Sequence, residues 1–256
     1  MAGSKREREL ARAKYERQQA RRAQSDDKRR KRTQVIASVV IGALVLAGFA
    51  ALAASLRHKS ASTSATAVDS NRAVCLYSPS GTAARKVDAP GVSTSLSPAT
   101  KTATLALSQG TVTVDLFNAK APCTVNSFAH LAASSFYANT PCHRLTTSAT
   151  LKVLQCGDPT GTGSGGPGYS FADENLTGAT YPAGTVAMAN SGPNTNGSQF
   201  FLVYGDSQLP AQYTPFGKVT GGLDVLQKIA AAGVKGGGED GAPATPVTLK
   251  SVTVEG

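Results

Sequence analysis

The sequence predicts a mainly β domain, a closed β-barrel capped by two helices, behind one transmembrane helix. Short runs of alternating apolar and polar residues recur from residue 102 onward. Only two segments of that part have a helical period, and a stretch of 24 residues near the start carries no charge. Many short strands, two helices and long Gly-rich loops fit a barrel with helical caps.

Charge sets the organisation. The 256 residues carry 26 Lys+Arg against 16 Asp+Glu, a net of +10, which alone would suggest nucleic acid or an anionic surface. Residues 1–32 hold 13 basic and 5 acidic residues, a net of +8, and residues 60–256 are neutral. The basic run lacks the interleaved aromatics of a nucleic-acid binder, so no nucleic-acid partner is expected. Residues 33–56, TQVIASVVIGALVLAGFAALAASL, would span ~36 Å as a helix, enough to cross a bilayer. Nine Lys/Arg lie in the 20 residues before this run and three in the 20 after it, so the amino terminus is expected in the cytoplasm and the rest outside. The polar lead is long for a cleaved signal peptide, which favours a retained signal anchor in the cell membrane. Residues 57–100 then read as a flexible stalk and N-terminal extension, because SASTSATAVDS at 60–70 has no core-forming pattern. Residues 101–256 form the folded domain, with a single core expected at that size.

Within the domain, TATLALSQGTVTVDLF at 102–117 alternates around Gln109-Gly110, which predicts a hairpin. Pro122 opens a helix over 121–135, with Val125, Phe128, Ala129, Leu131 and Ala132 on one side. Short strands are predicted at 143–145, 151–154, 184–189, 199–204 and 216–219, a second helix at 222–232 and a final strand at 247–254.

Cys75, Cys123, Cys142 and Cys156 form an even set in a domain expected outside the cytoplasm, where disulfides persist. Three pairings are possible. Cys142 and Cys156 bracket one strand-loop-strand unit, which favours that pair and leaves Cys75 with Cys123; four buried thiols are the alternative. No metal site is expected, since His58, His130 and His143 are scattered and no C-x-x-C occurs.

Two motifs are decoys. Residues 161–166, GTGSGG, match G-x-G-x-x-G, but Pro167-Gly168 follows where a nucleotide site needs a helix. No serine sits in a G-x-S-x-G frame, and adjacent Cys142 and His143 would face opposite sides of a strand, so hydrolase chemistry has no support.

What remains is distributed: PCHRL at 141–145, VLQCGDPTGTG at 153–163 and MANSGPNTNGSQFF at 188–201. This set resembles the cyclophilin family of peptidyl-prolyl cis-trans isomerases over about residues 102–254, and its wording looks most like membrane-anchored members of high-GC Gram-positive bacteria. The resemblance implies an eight-stranded antiparallel barrel closed by two helices, a monomeric catalytic domain, and no cofactor. It implies proline-containing polypeptides as substrates, with isomerisation of X-Pro bonds during the folding of exported proteins and no covalent intermediate. Arg144 matches the family's catalytic arginine and Gln155 the glutamine that positions it. Phe201 and Leu209 match walls of the proline pocket, and His143, Ala189, Asn190, Ser191 and Gln199 the peptide groove. Tyr213 stands where many members have histidine. The 11-residue step from Arg144 to Gln155 is longer than usual and lacks the family's Phe-Met pair. Lys152 and Val153 fall near those places, so one pocket wall is expected to be less apolar or differently built.

An isomerase is favoured over a peptide-binding chaperone module with little turnover, and over an adhesive or structural role. The topology makes a first prediction: protease added outside intact protoplasts should digest residues 101–256 and spare the tail, and protection of the domain would reverse the orientation.

Overall fold

Whether a strand residue points to the core or to the surface follows from its place in a two-residue alternation, and that alternation organises everything that the structure describes. The computed structural model describes residues 70–256. The expected tail, membrane helix and most of the stalk lie outside the described residues. Among those described, no helix is long and apolar enough to cross a membrane.

The strands are β1 (Arg72–Val74), β2 (Ser78–Pro79), β3 (Ser93–Ser95), β4 (Lys101–Leu107) and β5 (Gly110–Leu116), followed by helix α1 (Pro122–Ala133). Next come β6 (Thr140–Pro141), β7 (Arg144–Thr147), β8 (Lys152–Cys156), β9 (Tyr169–Ser170), β10 (Thr185–Met188), β11 (Phe200–Val203) and β12 (Pro215–Gly221). Helix α2 (Leu223–Ala231), β13 (Asp240–Gly241) and β14 (Thr248–Glu255) complete the order. The predicted hairpin is β4–β5, with Leu107 opposite Gly110. Gly110 has φ +150°, and a Cβ there would meet Val225 of α2 at 2.9 Å, so the turn needs glycine both for its backbone and for the helix that covers it.

A closed eight-stranded barrel was expected, and here the structure corrects the sequence. Ten strands form one curled antiparallel sheet in the order β13-β7-β8-β11-β10-β12-β5-β4-β14-β6. No ladder joins its ends, β13 and β6, among the described residues. Yet β6 and β7 are separated only by Cys142 and His143, although they lie near opposite ends of that order. The chain itself bridges the seam. Pro141 has no amide hydrogen to extend a ladder there, and the Cys142–Cys156 disulfide fastens the junction to the end of β8.

Both helices pack on one buried cluster. Val125, Phe128 and Leu131 of α1 and Leu226 and Ile229 of α2 join Leu105, Val114, Leu116, Leu145, Leu154, Phe200, Leu202 and Phe216 from the sheet. Phe128 lies between Tyr137, Phe200 and Phe216, with ring centroids 5.2–5.3 Å apart. The start of α1 has no side-chain cap of its own. Glu174 supplies one from a distant loop, accepting from the Cys123 and Thr124 amides at 3.1 and 2.8 Å, where a carboxylate also suits the helix dipole.

The segment read as stalk and extension is folded from residue 70 onward. β1 pairs with β3, and β2 with β9. Cys75 is bonded to Cys123 at the start of α1. Tyr77 packs edge-on against Tyr169 and Phe171 and donates its hydroxyl to the Cys123 carbonyl at 2.8 Å. Two- and three-residue strands carry no alternation and so leave no periodic mark in the sequence.

The Cys75–Cys123 bond closes a loop of sequence separation 48. Its removal by paired Cys75→Ser and Cys123→Ser substitutions should cost about 2–4 kcal/mol in urea unfolding. Limited proteolysis should then cut between residues 70 and 100 before the rest; an unchanged cleavage pattern would show that packing alone holds the extension.

Candidate functional site

The outer face of the sheet carries a second, smaller cluster. Along β8 and β11 the residues that alternate with the core ones are Val153, Phe201 and Val203, and they gather with Ala187 and Tyr181. Leu151, Ala189, Leu209 and Tyr213 pack around them. Phe201 and Tyr213 meet edge to face at 5.6 Å, and Tyr181 lies 6.3–6.4 Å from both rings. The Tyr181 hydroxyl donates to the Tyr213 carbonyl at 2.7 Å and accepts from its amide at 3.1 Å, which fixes the loop that carries Leu209 and Tyr213.

Strand register brings the polar residues to this apolar patch. Arg144 lies opposite Gln155, Gln155 opposite Phe201, and Phe201 opposite Ala187. One cross-strand row therefore runs from a guanidinium through an amide to an aromatic floor. Arg144 Nη1 donates to Gln155 Oε1 at 3.3 Å, Gln155 Nε2 to Gln199 Oε1 at 2.9 Å, and Gln199 Nε2 to the Gly163 and Gly165 carbonyls, both at 2.9 Å.

The edge strand β13 adds a partner. Asp240 accepts from Arg144 Nε and Nη2, each at 2.7 Å, a bidentate pair that is partly exposed. Of the five guanidinium N–H bonds, two go to Asp240 and one to Gln155, so each η nitrogen keeps one for a ligand. The hydrogen bond from Arg144 holds the Asp240 carboxyl below its usual range, and the same bond raises the pKa of Arg144. At this exposure the pair adds little stability. Its effect is orientation, since a planar fork gripped along one edge has one direction left.

The other expected groove residues are placed as follows. Ala189 lies between the apolar cluster and a cavity of about 410 Å³, which Asn190, Ser191 and Gln199 also line. Asn190 Nδ2 is committed to the Gln212 carbonyl at 2.8 Å, so its side chain holds the loop. His143 lies against the glycine loop: a Cβ on Gly163 would meet its ring at 3.4 Å, and both ring nitrogens are buried. In this position the ring supports the wall of the groove. The pocket side expected to be less apolar is lined by Val153 and Leu151, while the Lys152 stem lies against Gly205.

The glycine-rich decoy also has a use. Asp158, wholly buried, accepts from the amides of Thr160, Gly163 and Gly165 and from the Thr160 and Thr162 hydroxyls. Burial alone would raise its pKa, but these bonds, led by Thr160, hold it below the usual value. A Cβ on Gly165 would run into Asp158 Oδ1, so only glycine lets the loop close on the carboxylate.

With this geometry, a family model described as "Cyclophilin type peptidyl-prolyl cis-trans isomerase/CLD" matches residues 102–254, more than half of the chain. The chain belongs to this cyclophilin family. The cyclophilin domain is similar to "Probable peptidyl-prolyl cis-trans isomerase B" of Mycobacterium leprae, 52% identical over 71% of this chain and 66% of the relative. The relative of that name from Mycobacterium tuberculosis is 54% identical over 62% of this chain and 56% of its own length. The match thus spans just under two thirds of one of these relatives and little over half of the other. Among solved structures, a Cryptosporidium parvum cyclophilin-type isomerase in the presence of the dipeptide Ala-Pro is 31% identical, with a TM-score of 0.54 over 60% of this chain and 99% of that one.

Sequence reasoning missed Asp240, Tyr181 and the buried role of Asp158. Asp240 is 96 residues from Arg144, and neither spacing nor periodicity links the two.

His143 generates a pH prediction. Burial lowers its pKa first, with Arg144 adding and Asp158 opposing. The unfolded chain protonates near pH ~6.5, so the neutral ring's contribution is complete above that pH and is lost as pH falls toward the lower folded value. Unfolding free energy should therefore fall between pH 7.5 and 5, and His143→Gln should flatten the fall. An equal slope in both proteins would assign the effect elsewhere.

Proposed function

We propose that this protein is a peptidyl-prolyl cis-trans isomerase that accelerates X-Pro rotation in polypeptides. The observation that carries this is the row Arg144–Gln155–Phe201, which sets a guanidinium N–H beside an apolar aromatic floor. Rotation about the peptide bond meets a barrier of ~18–20 kcal/mol because resonance makes the C–N link partly double. The twisted state localises a lone pair on the proline nitrogen, and a donor aimed at that atom stabilises it more than either planar state. The proline ring would sit on Phe201 between Leu209, Tyr213 and Val153. The backbone would cross Ala189 and Gln199, and Arg144 would donate to the proline nitrogen while Gln155 holds its orientation. The Ala-Pro dipeptide of the Cryptosporidium parvum structure supports a peptide of this kind as ligand.

The setting belongs to the same proposal. The uncharged run at 33–56 and the basic residues before it support a single-pass anchor with the domain outside the cytoplasm. Two disulfides agree with an oxidising compartment.

One observation favours a second reading. Asp240 takes two of the arginine's donors, and a site so neutralised would suit a peptide-binding module with little turnover. A protease-coupled or NMR-exchange assay on the full chain separates the two. Under the isomerase reading Arg144→Ala lowers kcat/KM by roughly 10²- to 10³-fold, as for loss of one donor to a transition state, with peptide affinity nearly kept. Phe201→Ala acts chiefly on KM. No acceleration by the parent, together with peptide binding, would establish the module instead.

A further inference from the structure

The cavity beside the proposed proline pocket has a wall that the family match does not contain. On one side it is lined by Gln155, Gln199 and Ala189, which also border the row described above. On the other side it is lined by Ser80, Gly81 and Thr82, which lie outside residues 102–254. A polypeptide that crosses Ala189 and Gln199 into this cavity would meet the extension on its far side.

The wall is built and held. Pro79 pairs with Tyr169 of β9, the Ser80 amide donates to the Gly168 carbonyl at 2.9 Å, and the Ala84 amide to the Gly166 carbonyl at 2.8 Å. A parallel bridge joins Ala83 to Gly166. The Cys75–Cys123 bond and the Tyr77 rings fix the chain just before it. Backbone amides are thus used to dock the segment on the glycine loop. The hydroxyls of Ser80 and Thr82 make no hydrogen bond within the described residues, and both residues are exposed.

The lining has a definite chemistry. It consists of hydroxyls, amides, glycines, the Ala189 methyl and two rings, Tyr169 and Pro167, and no Asp, Glu, Lys, Arg or His takes part. A charged side chain would lose water there without meeting an opposite charge, whereas an uncharged polar one would exchange water for the hydroxyl and amide groups at little cost.

We infer that the N-terminal extension is part of the substrate site: Ser80, Gly81 and Thr82 complete a subsite for an uncharged polar side chain flanking the X-Pro unit. This rests on the isomerase reading for the direction in which the peptide runs past Ala189, but not for the existence of the subsite. The extension is then a specificity element as well as a tether to α1.

The test uses the full chain and peptides that share one Ala-Pro unit and differ at a flanking residue, Gln, Gly, Asp or Lys. The parent should prefer Gln over Asp and Lys by roughly three- to tenfold in kcat/KM, the worth of one or two hydrogen bonds. Thr82→Trp, which fills the cavity from the exposed side, should collapse that ratio. A ratio that is absent in the parent, or unchanged in Thr82→Trp and in Ser80→Trp, overturns the inference. If the parent isomerises none of the peptides, the isomerase reading fails and the subsite is read from binding. Amide shifts at Ser80, Gly81 and Thr82 on titration with the Gln peptide, and not with Ala-Pro alone, support it; their absence overturns it.

Discussion

The register of four neighbouring strands is the constraint on which the rest depends. In β7, β8, β11 and β10 one set of side chains, Leu145, Leu154, Phe200, Leu202 and Met188, fills the core beneath the helices. The alternate set, Arg144, Gln155, Phe201 and Ala187, makes the outer row. A slip of one residue would exchange the sets, exposing Leu154 and burying Arg144. The core thus guarantees the site: the energy that keeps Phe200 inside is what holds Phe201 and Gln155 outside. The Cys142–Cys156 bond acts at the seam of the sheet, where the chain passes from β6 to β7 with no ladder between these two strands among the described residues.

The site itself is a chain of orientation. Asp240 grips one edge of Arg144, Gln155 touches its other side, and Gln199 ties Gln155 to the glycine loop. No member of this chain is a nucleophile or needs to transfer a proton, which suits a reaction in which no bond is made or broken. The elements that supply it come from widely separated parts of the sequence, so the site exists only once the sheet has curled.

How much of this was legible varies with the length of pattern available. The seven-residue strands β4 and β5 and the twelve-residue helix α1 carry enough periods to be read directly. β2, β6, β9 and β13 have two residues each, and two residues have no period. Arg144, Gln155 and Phe201 were found through resemblance, with register then explaining why they meet. Asp240 was invisible because it is delivered by the edge of a sheet after three glycines at 236–238, and nothing local marks it. The extension was hard to read for a related reason: its composition is that of a linker, and what holds it from residue 70 onward is a disulfide, aromatic contacts and short strand pairings made to distant parts of the chain. The barrel was expected to close by pairing, but no ladder joins β13 to β6 among the described residues, and only the short link from β6 to β7 spans the seam, a distinction that composition cannot express.

The glycine loop at 161–166 has a consequence of its own. Its amides and hydroxyls surround the Asp158 carboxylate much as water would, so the protein carries a solvation shell for one of its own buried ions. The Gly163 and Gly165 amides, spent on this carboxylate, are not available to a phosphate, and the small residues of the loop answer to a charge inside the chain. Glycine density here measures how closely backbone must approach an internal ion, and the groove gains a rigid bank because that ion never leaves.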